Sequence, residues 1–369
     1  MFEKKTIHNV VFDFALIKNQ QDLNALVSLI KENSVIALDT EFTRRDTYYP
    51  ILSIIQVALK NLDGSKIIAI IDVLQNIDLS NFIDQINNPK IVKILHSPLQ
   101  DLQIFYQISK KYPQNICDTQ LMANFCEKDF NVGYSNLVKE IFNIEICKDM
   151  QSSNWQRRPL SVNQIEYALI DVIFLHEIYE NFLDFLKNNN RFSWFEEEMA
   201  EFINKALDEN NKNLMRKICV RGKSKKQIFQ LNNLVNLREK FAQIQNVPRE
   251  HLLGNEELEK IVENPQDYNF KKLNLTNIFV EEIKKTLKIS DNFVDNNEVF
   301  FINDNHKKTI NKIKSLSTKI AQKYNMKEQF LLSANQIKKI VKDSKIKGEI
   351  CNWRYEILGQ EIENIIKKI

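Results

Sequence analysis

The chain has 369 residues, too many for one ordinary core, and its 43% apolar and 27% charged content is typical of soluble globular proteins with two or three domains. The five cysteines include no CxxC pair, which argues against a disulfide framework or a zinc knuckle, and no apolar run is long enough for a membrane span, so we expect a protein of the reducing cytoplasm. The net charge of +3 divides into −7 over residues 1–200 and +10 over residues 201–369, which fits an acidic domain joined to a basic one.

The first 190 residues alternate between strand and helix patterns, which predicts an α/β domain with a mixed sheet. The candidate strands are 35–39, 51–59, 66–72 and 91–95. The candidate helices are 22–32, 79–87, 98–110, 119–126, 134–142 and 162–187. After Trp194 no convincing strand remains, and we expect helices throughout the second half.

Two carboxylates stand at the end of the first candidate strand. The segment 35–38 is apolar, and Asp39 and Glu41 follow it one residue apart, so both side chains project from the same face of the strand. Carboxylates this close repel each other unless a positive group lies between them, and a divalent metal is the strongest such group. The DxE pattern recurs by chance, but the buried strand before it favours a metal site.

A third carboxylate follows the candidate strand 91–95. The pair Ser97–Pro98 has the chemistry of a helix N-terminus, and Gln100 completes the spacing of a capping box with the serine. Asp101 then falls in the first turn of the helix, where it could bind a metal or only stabilise the helix dipole. His96, just before this helix, could contact a ligand or form a structural hydrogen bond.

The fourth carboxylate lies on a helix that begins with a capping box formed by Ser161 and Gln164. Tyr167 and Asp171 are one turn apart and share a face of this helix. Apolar Leu175 continues the same face, so we expect it to point inward. A buried Asp needs a partner, which could be a metal whose bound water the phenol contacts, or the phenol itself.

The second half contains an internal repeat. Residues 237–262 align without gaps to residues 316–341, and ten of the 26 positions are identical. This predicts two copies of one small helical module. Residues 210–226, which precede the repeat, hold seven basic residues and no acid, as expected of a phosphate-binding segment or of a solvated linker. The seven are Lys212, Arg216, Lys217, Arg221, Lys223, Lys225 and Lys226.

The four carboxylates and Tyr167, in this order and on these elements, resemble the DEDD superfamily of 3′–5′ exonucleases in its tyrosine-bearing branch. The histidine-bearing branch would place a histidine where this chain has Glu166. Further motifs resemble the ribonuclease D family, and the repeated module resembles the HRDC domain of RecQ helicases and of that family. Asn154 departs from the family pattern, in which Asp is usual at this position. The resembling motifs are Leu38–Phe42, Thr47–Pro50, Gln56, His96, Asp118–Gln120 and Trp155–Leu160.

The resemblance implies a domain order as well as a fold. We expect an α/β ribonuclease H-like exonuclease domain, with a mixed sheet flanked by helices, followed by two all-α HRDC-like domains. The expected bounds are 1–195 for the exonuclease domain, 196–226 for a basic helical linker, and 227–292 and 293–369 for the first and second HRDC-like domains.

The resemblance also implies two divalent ions, Mg²⁺ or Mn²⁺, roughly 4 Å apart. We expect Asp39 to bridge both ions, and Glu41 and Asp171 to hold the ion that activates water. Asp101 is expected to reach the second ion. Tyr167 is expected to orient the attacking water and to help take its proton.

Five side chains are candidates for contact with the substrate. The two aromatic ones could stack on terminal bases or pack in the core, and the polar ones could line the entry. The five are Phe42, Tyr48, His96, Gln151 and Arg158.

The function that the resemblance implies is that of a 3′–5′ exoribonuclease, which releases nucleoside 5′-monophosphates from tRNA precursors or other small stable RNAs. We expect a monomer with no membrane partner, whose helical modules and basic linker hold an RNA with a single-stranded 3′ end through its phosphates. A DNA exonuclease of the same fold is an alternative, because the metal chemistry does not distinguish RNA from DNA. A non-catalytic nucleic-acid-binding scaffold and a helical interaction protein fused to an inert α/β domain are further alternatives.

Overall fold

The computed structural model describes residues 2–147, 149–207, 214–215, 217–273, 275–289 and 303–367. They divide into two compact units, between which the chain passes several times. Unit 1 comprises Met1–Phe42, Leu52–Leu207 and Phe301–Ile369, and unit 2 comprises Thr43–Ile51 and Asp208–Phe300.

Unit 1 contains a seven-stranded mixed sheet. Its strands are β1 (Glu3–Ile7), β2 (Val10–Ile17), β3 (Val35–Thr43), β4 (Ile51–Lys60), β5 (Lys66–Asp72), β6 (Val92–Leu95) and β7 (Ile116–Asp118). Their order across the sheet is β1-β2-β5-β4-β3-β6-β7. β2 pairs with β5 in parallel and β4 pairs with β5 antiparallel, while β6 is parallel to both β3 and β7. The predicted mixed sheet is confirmed, although the sequence prediction missed β1, β2 and β7.

Eight α-helices lie in the described part of the chain up to Leu207, and all but the last agree with the candidate helices to within a few residues. The expected helix 162–187 is divided at Phe174, and the expected domain boundary at residue 195 falls inside a helix. They are α1 (Gln20–Leu29), α2 (Ser80–Asn87), α3 (Leu99–Ser109), α4 (Thr119–Phe125), α5 (Tyr134–Phe142), α6 (Val162–Ile173), α7 (Leu175–Asn188) and α8 (Phe192–Leu207).

The remaining helices form the two copies of the repeat. The first copy, in unit 2, contains α9 (Lys225–Gln245), α10 (Arg249–Leu252), α11 (Asn255–Glu263) and α12 (Asn277–Ile289). The second copy, in unit 1, contains α13 (Asp304–Lys323), α14 (Glu328–Leu331), α15 (Ala334–Asp343), α16 (Asn352–Arg354) and α17 (Gln360–Ile366). No helix of the described ranges is both long and apolar enough to cross a membrane.

The repeat is confirmed element by element. α9 and α13 begin 79 residues apart, and so do the two pairs of shorter helices that follow them, α10 with α14 and α11 with α15. Each long helix is followed by an asparagine with positive φ, at 51° for Asn246 and 49° for Asn325. Asparagine tolerates this left-handed conformation, which turns the chain toward the next short helix.

The second copy shares one hydrophobic core with the exonuclease domain. Phe125 of α4 packs edge-on against Phe330, with ring centroids 4.7 Å apart, and lies 5.1 Å from the ring of Trp353. The Arg354 guanidinium donates to both carboxylate oxygens of Glu198 on α8, and Trp353 Nε1 donates to the same carboxylate at 2.9 Å. The second copy is thus part of unit 1 rather than a separate body.

The expected linker 196–226 is not one segment. Residues 196–207 belong to α8, residues 225–226 begin α9, and Lys223 pairs with Glu263 at 2.8 Å. Lys212 and Arg216 lie outside the described residues, as does the expected boundary between the two copies at residues 292–293.

Candidate active site

β3 carries two of the predicted metal ligands within the strand. Ile36, Ala37 and Leu38 are fully buried, because β3 lies inside the sheet between β4 and β6. The strand continues to Thr43, so Asp39 and Glu41 are alternate strand residues on one face, as predicted. Their position is therefore fixed by the sheet rather than by a loop.

α6 brings the next pair of predicted residues to this face. Its N-terminus has the predicted capping box, in which the Ser161 hydroxyl and the Gln164 amide satisfy each other's backbone N–H groups. Tyr167 and Asp171 lie one turn apart on this helix, and their side chains are hydrogen-bonded to each other. One carboxylate oxygen from each of Asp39, Glu41 and Asp171 lies within 4.8 Å of the other two.

Asp101 occupies the first turn of α3 and is only 7% exposed. The Thr40 hydroxyl, between the two carboxylates of β3, donates to Asp101 Oδ1. The predicted capping box at this helix is wrong, because Pro98 is the N-cap. Ser97 instead has a φ of 58°, and its backbone N–H donates to Asp118 Oδ1 at 2.8 Å. The strained turn at Ser97 is held by a buried carboxylate.

All four acids and Tyr167 line one cavity of about 530 Å³. Their carboxylates come from three elements that are far apart in the sequence, namely β3, α3 and α6. The other lining residues are mostly neutral and polar. They are Thr40, Phe42, His96, Ser97, Gln100, Gln120, Gly133, Tyr134, Ser135, Ile146, Cys147, Gln151 and Leu175.

The electrostatics of the cavity disfavour four free carboxylates. Burial, followed by repulsion from Asp171 and Asp101, raises the pKa of Glu41 to about 9. Burial raises the pKa of Asp171 to about 8 and that of Asp101 to about 6, against opposing hydrogen bonds from Tyr167 and Thr40 respectively. The pKa of Asp39 is also raised well above its ordinary value, by burial and then by the other three acids.

Comparison with known proteins agrees with this geometry. A family model described as a 3′–5′ exonuclease matches residues 14–187. Ribonuclease D of Bartonella henselae is 27% identical over 372 residues, which cover 95% of this chain and 90% of that protein. Ribonuclease D of Granulibacter bethesdensis is 34% identical over 248 residues, which cover 67% of this chain and 62% of that protein. The crystal structure of Escherichia coli RNase D, at 22% identity, has the same fold with a TM-score of 0.77 and covers 96% of this chain and 99% of its own.

The chain is similar to members of the ribonuclease D family over nearly its whole length. This is a family of 3′–5′ exoribonucleases, and the matched exonuclease region contains all four acids and Tyr167. The alternative of an inert α/β domain fused to helices is therefore wrong.

The exonuclease fold of the ribonuclease D family uses divalent metals, and the residues of this cavity suit such ions. Within the described part of the chain, no lysine, arginine or histidine forms an ion pair with any of the four carboxylates. Four acids, of which Asp101 is buried and the other three are half-buried, form a set of hard oxygen donors without a cationic partner, which suits Mg²⁺, Mn²⁺ or Ca²⁺ better than zinc. Gln56 supports this set, since its Nε2 lies 3.4 Å from Asp39 Oδ2.

Three of the five candidate substrate residues line the cavity, namely Phe42, His96 and Gln151. His96 lies there as a structural group, since its Nδ1 and Nε2 are each 3.0 Å from a partner, Thr119 Oγ1 and the Val132 carbonyl oxygen. Burial lowers the pKa of His96 to about 4, so the ring is neutral at neutral pH.

The other two candidates do not line the cavity. Tyr48 belongs to unit 2 and is 5% exposed, and its hydroxyl donates to Glu239 at 2.5 Å. A ring covered in this way is not available to stack on a base. Arg158 donates from Nε and Nη2 to the two carboxylate oxygens of Asp72 at 2.7 and 2.6 Å, so it stabilises the fold rather than lining the entry to the cavity.

Other wall residues were not singled out as site residues from the sequence. Gln120 lies in the Asp118–Gln120 motif that resembles the ribonuclease D family, so a signal for it was present. Tyr134 begins α5, and its hydroxyl donates to the Ile170 carbonyl oxygen at 2.8 Å, beside Asp171. Nothing in the local sequence around Tyr134 indicates this placement, because it depends on the packing of α5 against α6.

Proposed function

We propose that this protein hydrolyses the last phosphodiester at the 3′ end of RNA and releases nucleoside 5′-monophosphates one at a time. The observation that carries the proposal is the convergence of Asp39, Glu41 and Asp171 within 4.8 Å, in a cavity that Asp101 and Tyr167 also line. The substrates we propose are tRNA precursors or other small stable RNAs with a single-stranded 3′ end.

Asp39, Glu41, Asp101 and Asp171 would hold two Mg²⁺ or Mn²⁺ ions. When bound, such ions supply a nucleophile at neutral pH and stabilise the charge on the attacking and leaving oxygens. The part of the four acids is to fix these ions on secondary-structure elements rather than on loops. Hydrogen bonds from Thr40 to Asp101 and from Tyr167 to Asp171 orient two of the carboxylates.

Tyr167 acts as a donor of hydrogen bonds rather than as a base. Burial, together with the charges of Asp171, Glu41 and Asp39, raises its pKa, so the phenol keeps its proton at neutral pH. A protonated phenol can orient a water or a phosphate oxygen beside Asp171, but it takes up no proton. In the metal-free protein the raised pKa thus favours the role of orienting the water over that of taking its proton.

Replacing Tyr167 with Phe should lower kcat by about 10²-fold, the lower end of what a positioned proton-transfer or hydrogen-bonding group contributes. The affinity for Mg²⁺ should change little, because all four carboxylates remain. Tyr106→Phe on α3 is a matched control that removes a hydroxyl outside the cavity. Steady-state kinetics on a 3′-tailed RNA would measure the effect, and a kcat equal to that of the control would remove Tyr167 from the mechanism.

The cavity wall supports the proposed RNA substrate, and the cysteines support the proposed cytoplasmic location. A wall of neutral polar groups beside Phe42 suits the sugar and base of a single-stranded end, since it neither repels phosphate nor demands one base. All five cysteines are free thiols, as is usual in the cytoplasm, where we place the protein as a monomer.

Incubation of the protein with Mg²⁺ and a 5′-labelled, 3′-extended tRNA transcript should give a ladder that shortens stepwise from the 3′ end. Chromatography of the products should show nucleoside 5′-monophosphates. A DNA of matched sequence, run in parallel, tests the alternative of a DNA exonuclease. Internal cuts, nucleoside 3′-monophosphates or unchanged RNA would refute the proposal.

A further inference from the structure

One face of α13 carries a row of four lysines, named here the lysine stripe. The stripe consists of Lys308, Lys312, Lys319 and Lys323, all of which are exposed. At 3.6 residues per turn these positions fall within an arc of about 60° around the helix axis. At 1.5 Å per residue the stripe is about 22 Å long.

The stripe is not neutralised by neighbouring acids. On α13 the lysine that pairs with a carboxylate is Lys307, which lies on the other flank of the helix and is 2.9 Å from Asp304. Within the described ranges, no carboxylate forms an ion pair with a lysine of the stripe, and Lys323 lies 5.4 Å from the ring of Tyr324. Four like charges in a row raise the local positive potential and attract a polyanion.

The fold of the module does not require these lysines. At the offset of the repeat, the first copy has Phe229, Asn233, Lys240 and Ile244 in the same places on α9, so three of the four charges are missing. The two copies share their helix bounds but not this surface. The stripe is therefore a feature of the second copy alone.

The end of α13 is fixed to the exonuclease domain inside unit 1. Arg191 Nη2 donates to the Tyr324 carbonyl oxygen at 2.7 Å, and Asn325 Nδ2 donates to Glu127 Oε2 at 2.7 Å. Lys327 also pairs with Asp129 at 2.8 Å. These contacts hold the C-terminal end of the stripe against residues 127–129.

The same stretch of chain leads into the wall of the catalytic cavity. The Val132 carbonyl oxygen is 3.0 Å from His96 Nε2, and Gly133 and Tyr134 line the cavity directly. The stripe thus ends beside the segment 127–134, whose other end forms part of the active site. An RNA whose 3′ end occupies the cavity has a fixed cationic surface at hand for its upstream phosphates.

We propose that the lysine stripe of α13 binds the phosphate backbone of the RNA upstream of its 3′ end. The second copy of the repeat then contributes to RNA binding outside the catalytic cavity. The inference rests on the proposed exoribonuclease function. A long row of evenly exposed charges fits a polyanion rather than a single phosphate, and the binding is independent of sequence. RNAs with a body beyond the cavity gain affinity from the stripe, and short oligonucleotides do not.

The test compares two triple variants with the same change in charge. The stripe variant is Lys308→Gln, Lys312→Gln and Lys319→Gln, and the control is Lys338→Gln, Lys342→Gln and Lys345→Gln, three exposed lysines elsewhere in the second copy. Binding of a hairpin RNA with a single-stranded 3′ tail is measured by fluorescence anisotropy in EDTA over a range of salt concentrations. Turnover of a short single-stranded RNA is measured separately with Mg²⁺.

For the stripe variant we expect weaker binding of the hairpin and a slope of log Kd against log salt that is smaller by about two, since each lost phosphate contact removes roughly 0.7–0.9. The control should keep the wild-type slope, and both variants should degrade the short RNA at the wild-type rate and melt at the wild-type temperature. An unchanged slope, or equal losses in both variants, would overturn the inference and leave the exonuclease standing. A wild-type protein that degrades neither RNA would refute the proposed function and this inference with it.

Discussion

Replacing Asp39 with Asn is expected to lower the rate of 3′ trimming at least about 10³-fold, because metal ions contribute several kcal/mol to such a transition state and each 1.36 kcal/mol is tenfold. Asp39 is one of the four acids proposed to hold the metal ions. It lies in the same oxygen cluster as Glu41 and Asp171, and it shares the cavity with Asp101. An amide at this position keeps the shape but removes one negative charge from the donor set.

The loss of activity should come without a loss of stability. Since burial and the neighbouring acids raise the pKa of Asp39, its charge is unfavourable in the metal-free fold, and the Asn variant should melt at a higher temperature than the wild type in EDTA. Asp84→Asn, an exposed change on α2, is the matched control and should alter neither quantity. Calorimetric titration with Mg²⁺ would separate weaker metal binding from slower chemistry. Wild-type activity in the Asp39 variant would show that the metal assignment is wrong.

The second expected result is a fall in the melting temperature of the metal-free protein as the pH rises from about 4 to about 9. The folded-state pKa of Glu41 is about 9, that of Asp171 about 8 and that of Asp101 about 6, all above the ordinary values of 4.5 for Glu and 3.8 for Asp. At these three acids the folded state therefore binds more protons than the unfolded state across this range, whereas at His96, whose pKa is lowered to about 4, it binds fewer up to about pH 6.5. The stability that these protonated acids contribute is fully present below about pH 4 and is lost as the pH rises through each raised pKa.

Divalent ions should reverse this dependence. Mg²⁺ replaces the protons between the carboxylates, so its addition at pH 8 should raise the melting temperature by several degrees and release protons into the buffer. Melting curves from pH 4 to 9, with EDTA and with Mg²⁺, measure the first effect, and calorimetry in two buffers of different ionisation enthalpy measures the second. Asp39→Asn should show a shallower pH dependence in EDTA. A melting temperature that does not depend on pH without metal would contradict the electrostatic account of the cavity.

The residues of the candidate site could be found from the sequence because each sits next to a strong local signal. Asp39 and Glu41 follow an apolar strand, and Asp171 lies one turn after Tyr167 on a helix with a clear capping box. Such patterns depend only on the period of a strand or a helix, and a family resemblance then relates the separate elements. The convergence of three of these acids within 4.8 Å is what the coordinates add.

Residues whose role depends on a distant partner could not be found in this way. Tyr48 is of a residue type that can stack on bases, but its hydroxyl donates to Glu239, which lies 191 positions away in the sequence. Arg158 is likewise bound by Asp72, 86 positions earlier in the chain. A sequence shows which side chains could bind a nucleotide, whereas only the fold shows which of them are already occupied.

The fold was predictable to the extent that its elements are long and regular. β1 is an edge strand of mostly exposed, charged residues and β7 has three residues, so neither offers enough of a period-2 pattern. β2 has an apolar run that could have indicated it. The repeat predicted two copies of one small helical module, but not the union of the second copy with the exonuclease core, since that union depends on contacts such as that of Arg354 with Glu198.

The division into two units limits how such a protein can be shortened or rearranged. One unit joins Thr43–Ile51 to the first copy, and the other joins the exonuclease domain to the second copy. A cut after α8 would leave Tyr48 without the Glu239 and Gln243 side chains that satisfy its hydroxyl, and would strip the exonuclease core of Trp353 and Phe330. Neither copy can therefore be removed without loss of side-chain contacts to the rest of its unit. Recombination that exchanges or discards a copy would have to replace these contacts, so insertions and deletions in homologous genes should spare the residues that form them.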